Sequence, residues 1–247
     1  AMAMLLSLTR KIREQDALVK KGYWADRTEL VHPYRSELGR IEGNIVGIVG
    51  LGNIGKSFAT RIKGFGPAKI IAYDPYIDRT TADLFGVELV DLDELLKTSD
   101  FITLHAPSTE ETHHIINEEA FSKMKSNCIL INCARGPLVD PSALFNALKN
   151  NIIPAAGIDV TEKEPISSED PLLSLDNLII TPHTAGSSSV SREVGTRKQA
   201  ENVIKILKGE APHGLANPEV IKTIALMKTK ANNRWSNVDL FDTSLKV

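Results

Sequence analysis

A doubly wound α/β fold, with a parallel sheet and helices on both faces, is predicted by three features of this 247-residue chain. Seven short runs rich in branched aliphatic residues recur along it. Most are apolar throughout rather than alternating, as strands covered on both faces must be. Helical patterns separate most of them, and a glycine-rich turn joins the first run to the helix that follows.

Taken in order, the chain opens AMAMLLSLTRKIRE, where Ala1, Met2, Met4, Leu5, Leu6, Leu8 and Ile12 recur at helical spacing. The pattern predicts one helix over residues 1–14, with no Ser, Thr, Asp or Asn ahead of it as a cap. Residues 22–43 show no clear period; so long an aromatic-containing connection is either functional or part of an interface. The strand candidates are NIVGIVG (44–50), KIIAYD (69–74), VELV (87–90), DFITLH (100–105), CILIN (128–132), AAGIDV (155–160) and LIIT (178–181). Helices are expected near 53–65, 91–98, 117–124 and 138–150, the last with Asp140 as cap and Pro141 at its first position. A long helix follows from about Ser188 to Lys208, closed by Gly209, and the tail from Asn217 begins as a helix. There is no internal repeat and no low-complexity segment.

Composition excludes several classes of function. Lys and Arg total 29 against 31 Asp and Glu, a net charge of -2, so nothing draws the chain to nucleic acid or to an acidic membrane surface. No apolar run is long enough to span a bilayer, and the opening lacks the basic segment and small-residue cleavage site of a signal peptide. Cys128 and Cys133 are an odd number of residues apart in one apolar run, which points them to opposite faces of a strand. They are not expected to bond, and a reducing, cytoplasmic setting fits.

Gly50-Leu51-Gly52-Asn53-Ile54-Gly55 is a G-x-G-x-x-G at a strand-to-helix junction. Gly50 permits the tight turn, Gly52 lets backbone approach a pyrophosphate, and Gly55 lets the helix pack on the strand. The phosphate charge then meets free N–H groups at the helix start. Asp74 ends the next strand candidate, 22 residues past Gly52, where a carboxylate accepts hydrogen bonds from ribose hydroxyls and repels a 2′-phosphate. The pair reads as a site for NAD rather than NADP.

Ligands of such sheets bind beyond the carboxyl ends of the strands. Arg135 follows CILIN, Glu164 follows AAGIDV and His183 follows LIIT. Singly, each is also what a surface arginine, a loop acid or a turn histidine looks like. Together they are chemically coherent. Arginine grips a carboxylate or polarises a carbonyl, and histidine passes a proton to and from an alcohol oxygen. A glutamate beside the histidine stabilises the imidazolium and keeps its acid form available. The remaining histidines look bland: His113 and His114 are adjacent, cannot share a helix face, and so are not expected to hold a metal.

In this order and spacing, GIVGLGNIG, AYDPY, LHAPSTEETHHIIN, INCARGPLVD, GIDVTEKEP and TPHTAG resemble the NAD-dependent D-2-hydroxyacid dehydrogenases, over roughly the first four-fifths of the chain. The resemblance implies a Rossmann-type NAD-binding domain over 1–186, including a domain-crossing helix (1–14) and a dimerisation arm (22–43). Residues 187–247 would be a C-terminal helix and tail returning toward a substrate domain largely absent from the chain. It further implies that Arg135 binds substrate, His183 is the acid/base and Glu164 its partner. Cofactor contacts are implied at Asn53, Ile54, Asp74, His105, Ala106, Pro107 and Thr112, then at Cys133, Ala134, Arg135 and Asp159, and along the turn from His183 through Ala185 to Gly186. Ser108 departs from the family, which has leucine there. The implied activity is interconversion of a small 2-hydroxy acid and its 2-keto acid by a homodimer, with phosphoglycerate, hydroxypyruvate or glyoxylate favoured. An NAD(H)-sensing, protein-binding module of the C-terminal-binding corepressor type shares the motif set and is the alternative; a formate dehydrogenase would carry glutamine in place of Glu164.

Overall fold

The computed structural model describes residues 1–36, 38–208, 212–215, 217, 219–220 and 223. Its centre is a seven-stranded parallel sheet of β1 (Ile45–Val49), β2 (Lys69–Tyr73), β3 (Glu88–Leu89), β4 (Phe101–Leu104), β5 (Ile129–Asn132), β6 (Ala155–Ile158) and β7 (Leu178–Ile180). The spatial order is β3-β2-β1-β4-β5-β6-β7. Val46 of β1 pairs with Ile70 of β2 on one side and with Phe101 of β4 on the other, so the order reverses at β1. The central strands β1, β4 and β5 are nearly or wholly buried along their length, which is why they read as unbroken apolar runs.

Two apolar clusters line the two faces. One packs α6 (Leu92–Thr98), α7 (Glu118–Lys123) and α8 (Pro141–Lys149) through Leu95, Phe121 and Leu144. The other packs α1 (Met2–Thr9) and α4 (Asn53–Ile62) through Leu5, Leu8, Phe58 and Ile62. Burying each such side chain contributes about 1.5–3 kcal/mol. Asp91, Asn117 and Asp140 cap α6, α7 and α8 by accepting backbone N–H bonds, and Pro141 stands at the first turn of α8 as expected.

At the amino end of the sheet Asp100 ties three segments together. Its carboxylate accepts from the Ile45 N–H (2.9 Å), Lys125 Nζ (3.0 Å) and Asn127 Nδ2 (3.1 Å). Burial pushes its pKa up, but these bonds outweigh burial and leave it below the ordinary carboxylate value.

The first helix differs from expectation. α1 ends at Thr9, Lys11 takes a left-handed conformation (φ 47°), and α2 (Ile12–Lys20) starts anew. The Thr9 carbonyl accepts from Gly39 N–H (3.1 Å), which fixes the break. Ile12 belongs to no apolar stripe with α1; it is 53% exposed, and α2 buries nothing. The 22–43 stretch folds into α3 (Tyr23–Asp26) and two 3₁₀ turns, at 28–30 and 32–35. α5 (Arg79–Leu84) has no counterpart in the sequence reading, although Asp78 caps it by accepting from the Thr81 N–H (2.8 Å).

Residues 1–185 form one compact unit and 186–247 a second. Within the second, α9 (Ser189–Lys208) is led by reciprocal bonds between Ser188 and Ser191. Its expected closing residue, Gly209, and most of the tail beyond Asn217 lie outside the described residues. No helix among the described residues is long and apolar enough to cross a membrane.

Candidate active site

The glycine turn lies at the reversal of strand order. Gly50 leaves β1 with φ 91°, and a Cβ there would stand 2.5 Å from the Ala106 backbone nitrogen, so only glycine lets the ends of β1 and β4 meet this closely. A Cβ on Gly55 would collide with the Gly50 carbonyl oxygen at 2.2 Å. Gly52 is different: nothing lies within 4 Å of the Cβ it lacks. It stands as the N-cap of α4 with no side-chain capping bond, so open space faces the uncapped first-turn N–H groups. Asn53 begins that helix and Ile54 is 65% exposed beside it. A pyrophosphate fits this cradle.

Asp74 is held by backbone. Its Oδ2 accepts from the Leu51 N–H (2.7 Å) and its Oδ1 from the Tyr76 N–H (2.9 Å), so the carboxylate sits against the glycine turn itself. A pocket beside it is lined by Gly50, Asp74, Tyr76, Ala106, Pro107 and Thr112. Thr112 Oγ1 donates to the Pro107 carbonyl (2.7 Å), closing one wall. Five of the expected cofactor contacts, Gly50, Asp74, Ala106, Pro107 and Thr112, thus lie around one cleft. His105, next to it, touches Thr103 Oγ1 (3.1 Å) and packs on Phe58, and burial pushes its pKa down to about 4. It is neutral at physiological pH.

The second cluster stands on β5, β6 and β7, which are neighbours in the sheet. His183 Nδ1 is 2.7 Å from Glu164 Oε2, and the other Glu164 oxygen accepts from the Thr161 N–H (3.1 Å). The bond to His183 is the main reason the Glu164 carboxyl lies below its ordinary pKa. Both side chains are partly exposed, so the outer ring nitrogen of His183 has access to a ligand. His183 holds a left-handed backbone (φ 53°), fixed by its N–H donating to the Asp159 carbonyl (2.8 Å).

Arg135 is exposed at the end of β5, with Nη1 donating to the Ala134 carbonyl (2.6 Å). Cys133 is half-buried, its Sγ 3.7 Å from Met4 Sδ, and Ala134 is buried. The turn bearing Arg135 abuts the loop bearing Glu164: a Cβ on Gly136 would lie 2.0 Å from the Thr161 carbonyl oxygen. Cys128, on the other face, is a free thiol whose pKa burial pushes up to about 12. Gly186 opens the second compact unit.

Two supporting residues were not legible as such. Asp159, expected as a cofactor contact, spends its carboxylate on the protein: Oδ1 accepts from the Thr181 hydroxyl and the Thr184 N–H (2.9 Å), and Oδ2 from the Ala185 N–H (2.8 Å). Burial raises its pKa, yet these bonds together hold it below the ordinary value. Asn132, absent from the sequence reading of the site, shapes the arginine turn through the Ala134 N–H (3.0 Å) and the Arg135 carbonyl (2.9 Å). A lone amide ending the apolar run CILI was its signal. Contrary to expectation, His113 and His114 lie in a turn, not a helix, and their rings stack at 3.9 Å beside Glu162.

Residues 2–185 match the family described as D-isomer specific 2-hydroxyacid dehydrogenase, NAD binding domain. A glyoxylate reductase of Korarchaeum cryptofilum is 43% identical over 222 residues, covering 90% of this chain and 66% of that protein. A D-3-phosphoglycerate dehydrogenase of Methanocaldococcus jannaschii is 43% identical over 230 residues, covering 93% of this chain but 42% of that one. Among solved structures, D-lactate dehydrogenase with NAD+ from Lactobacillus jensenii superposes with a TM-score of 0.73 at 30% identity, over 86% of this chain and 66% of that one. The chain therefore spans just under two thirds of the glyoxylate reductase and less than half of the phosphoglycerate dehydrogenase. It belongs to the D-isomer-specific 2-hydroxyacid dehydrogenases, and its residues 2–185 are that family's NAD-binding domain.

Proposed function

We propose that the protein interconverts a small D-2-hydroxy acid and its 2-keto acid, with His183 as acid/base, Glu164 as its partner and Arg135 as the cation for the substrate. The observation that carries this reading is the 2.7 Å bond between His183 Nδ1 and Glu164 Oε2 on the carboxyl edge of the sheet. NAD(H), when bound at the glycine turn, supplies or accepts the hydride. Gly50, Gly52 and Gly55 shape the cradle for its pyrophosphate, and Asp74 meets a ribose.

With Nδ1 held by Glu164, the transferable proton of His183 sits on Nε2. In keto-acid reduction it passes to the carbonyl oxygen, and in alcohol oxidation the neutral ring takes it back. Glu164 stabilises the imidazolium, and Asp159 holds the Thr184–Ala185 turn beside the ring. Arg135 pairs with the carboxylate of the substrate, and its fork of donors orients the carbonyl.

The named relatives, glyoxylate reductases and a phosphoglycerate dehydrogenase, support a substrate as small as glyoxylate or hydroxypyruvate, and favour an enzyme over a protein-binding module. The test is NADH oxidation by the full-length protein with glyoxylate, hydroxypyruvate, phosphohydroxypyruvate and pyruvate. At least one should be turned over, and His183→Ala should cut that turnover by about 10²–10⁴-fold while NADH affinity changes far less. Failure of all four, or full activity in His183→Ala, refutes the proposal.

We also propose a homodimer, supported by exposed apolar side chains on α2 and α3 (Ile12, Val19 and Trp24, the last 62% exposed), and a cytoplasmic setting, supported by two free thiols.

A further inference from the structure

Three segments far apart in sequence meet on the face of the molecule beside the Glu164 loop. The turn at 113–114 is stitched to 136–140 by backbone bonds from His114 N–H to the Pro137 carbonyl (2.8 Å), Ile116 N–H to Leu138 (3.0 Å) and Asp140 N–H to Ile116 (3.0 Å). Segment 136–140 in turn lies against the 161–162 loop through Gly136. This backbone brings two imidazoles and a carboxylate to one point. His114 Nε2 is 2.8 Å and His113 Nε2 3.7 Å from Glu162 Oε1. The possible ligand atoms of the three all lie within 4.8 Å of one another, the one such trio of His, Cys, Asp or Glu among the described residues.

Those separations bracket the spacing a metal ion asks for. Ligand bonds of 2.0–2.2 Å at tetrahedral angles put neighbouring ligand atoms about 3.3 Å apart. Two imidazole nitrogens and one carboxylate are the donor set of zinc, cobalt, nickel or copper, not of magnesium or calcium, which take oxygen ligands. Asp140 strengthens the case from outside the trio. Its Oδ1 caps α8, while Oδ2 lies 4.0 Å from His114 Nδ1, on the side of the ring away from Glu162. Histidines that bind metals face a carboxylate through their other nitrogen, which fixes the ring and raises its basicity. His114 also holds a left-handed backbone (φ 50°), a conformation that side chains other than glycine adopt at some cost and that here aims its ring at Glu162. The trio is 28–54% exposed, leaving room for water as a fourth ligand.

We propose that His113, His114 and Glu162 bind a divalent transition-metal ion, zinc being the best match to the donor set, and that the ion clips the Glu162–Glu164 loop to the 113–114 turn. Nothing in the reaction assigned above uses these three side chains, so the site stands or falls separately from it.

The test uses the full chain stripped of metal and titrated with Zn²⁺ by calorimetry and with Co²⁺ by visible absorption. One equivalent should bind, with a Kd of about 10 μM or tighter, and should raise the Tm. His113→Gln and Glu162→Gln, both at exposed positions, should each weaken binding at least tenfold and remove the Tm rise. His114→Asn should do the same while keeping a residue that tolerates the left-handed backbone; if it fails to fold, the other two variants decide. Absence of saturable binding below about 1 mM overturns the proposal. So does affinity unchanged in all three variants, or affinity lost in His183→Asn alone, which would put the ion on the His183–Glu164 pair.

Discussion

Replacing Asp159 with asparagine isolates what holds His183 in place. The aspartate is 2% exposed, and its two oxygens serve three donors: Thr181 hydroxyl and Thr184 N–H on Oδ1, Ala185 N–H on Oδ2. Asparagine keeps one oxygen. If that oxygen serves Thr181 and Thr184, the new NH₂ faces the Ala185 N–H across what is now a 2.8 Å bond, donor against donor. One charge-assisted bond is lost, worth about 1.5–3 kcal/mol, in a site that water does not reach. At 2–4 °C per kcal/mol for a chain of this size, Tm should fall by roughly 5–10 °C. The backbone bond from His183 N–H to the Asp159 carbonyl survives the change, so the ring shifts without leaving the site. Turnover should drop by about 10–10²-fold, the scale of a displacement near 1 Å.

The pH dependence supplies a second check on the same residue. The Asp159 carboxyl is held below its ordinary pKa of 3.8 in the folded state. Its stabilisation is therefore fully present above that value and is lost as pH falls through the lower, folded one. The Tm difference between the parent and Asp159→Asn should stay constant from neutral pH down to about 5 and narrow below about 4. Scanning calorimetry across that range, with steady-state kinetics at neutral pH, decides it. A variant with parental Tm and turnover, or a Tm difference that does not change with acidity, refutes the assignment of Asp159 as the support of the His183 turn.

Two further outcomes follow from the site. The protein should bind NADH at least tenfold more tightly than NADPH, about 1.4 kcal/mol, and Asp74→Ala should shrink that preference; equal affinities in the unmodified protein by titration calorimetry would count against the ribose role. In Glu164→Gln the ring of His183 loses the carboxylate that meets its Nδ1 at 2.7 Å, so keto-acid turnover should fall by about 10²-fold or more with NADH affinity little changed, and parental turnover would dissociate Glu164 from His183.

The parts of this molecule that were legible in the sequence are those set by short-range rules. Strands buried on both faces must be apolar throughout, so β1, β4 and β5 stood out as unbroken runs, the four more exposed strands as shorter aliphatic ones, and their carboxyl ends located Gly50, Arg135, Glu164 and His183. Asp140 and Pro141 marked a helix start by chemistry that needs no partner elsewhere. What was illegible depends on distant partners or on backbone energetics that composition does not record. Lys11 breaks the first helix because Gly39, 28 residues on, bonds the Thr9 carbonyl across the gap. Nothing in LTRKIRE marks that. His113 and His114 looked inert under a helical assumption, and only the packing of Gly136 against Thr161 brings Glu162 to them.

His114 and His183 share a left-handed backbone. Four residues other than glycine take positive φ among those described, and two of them are these histidines. Each is fixed by its own N–H donating to a carbonyl of a neighbouring segment, Pro137 for His114 and Asp159 for His183. Each presents its ring to a glutamate of the same loop, Glu162 and Glu164. A left-handed histidine persists only where surrounding structure over-determines it, and such outliers concentrate where a side chain must be aimed. The 161–164 loop is thus held from two sides by aimed histidines, one from the β7 turn and one from the turn at 113–114. If an ion binds at Glu162, the residue it immobilises is two positions from the carboxylate that orients His183. Occupancy of the first site should then be readable in the ring of the second: zinc should perturb the His183 imidazole NMR signals in the parent and leave them unmoved in Glu162→Gln. Signals that respond to zinc equally in both proteins would show that the loop does not connect the two sites.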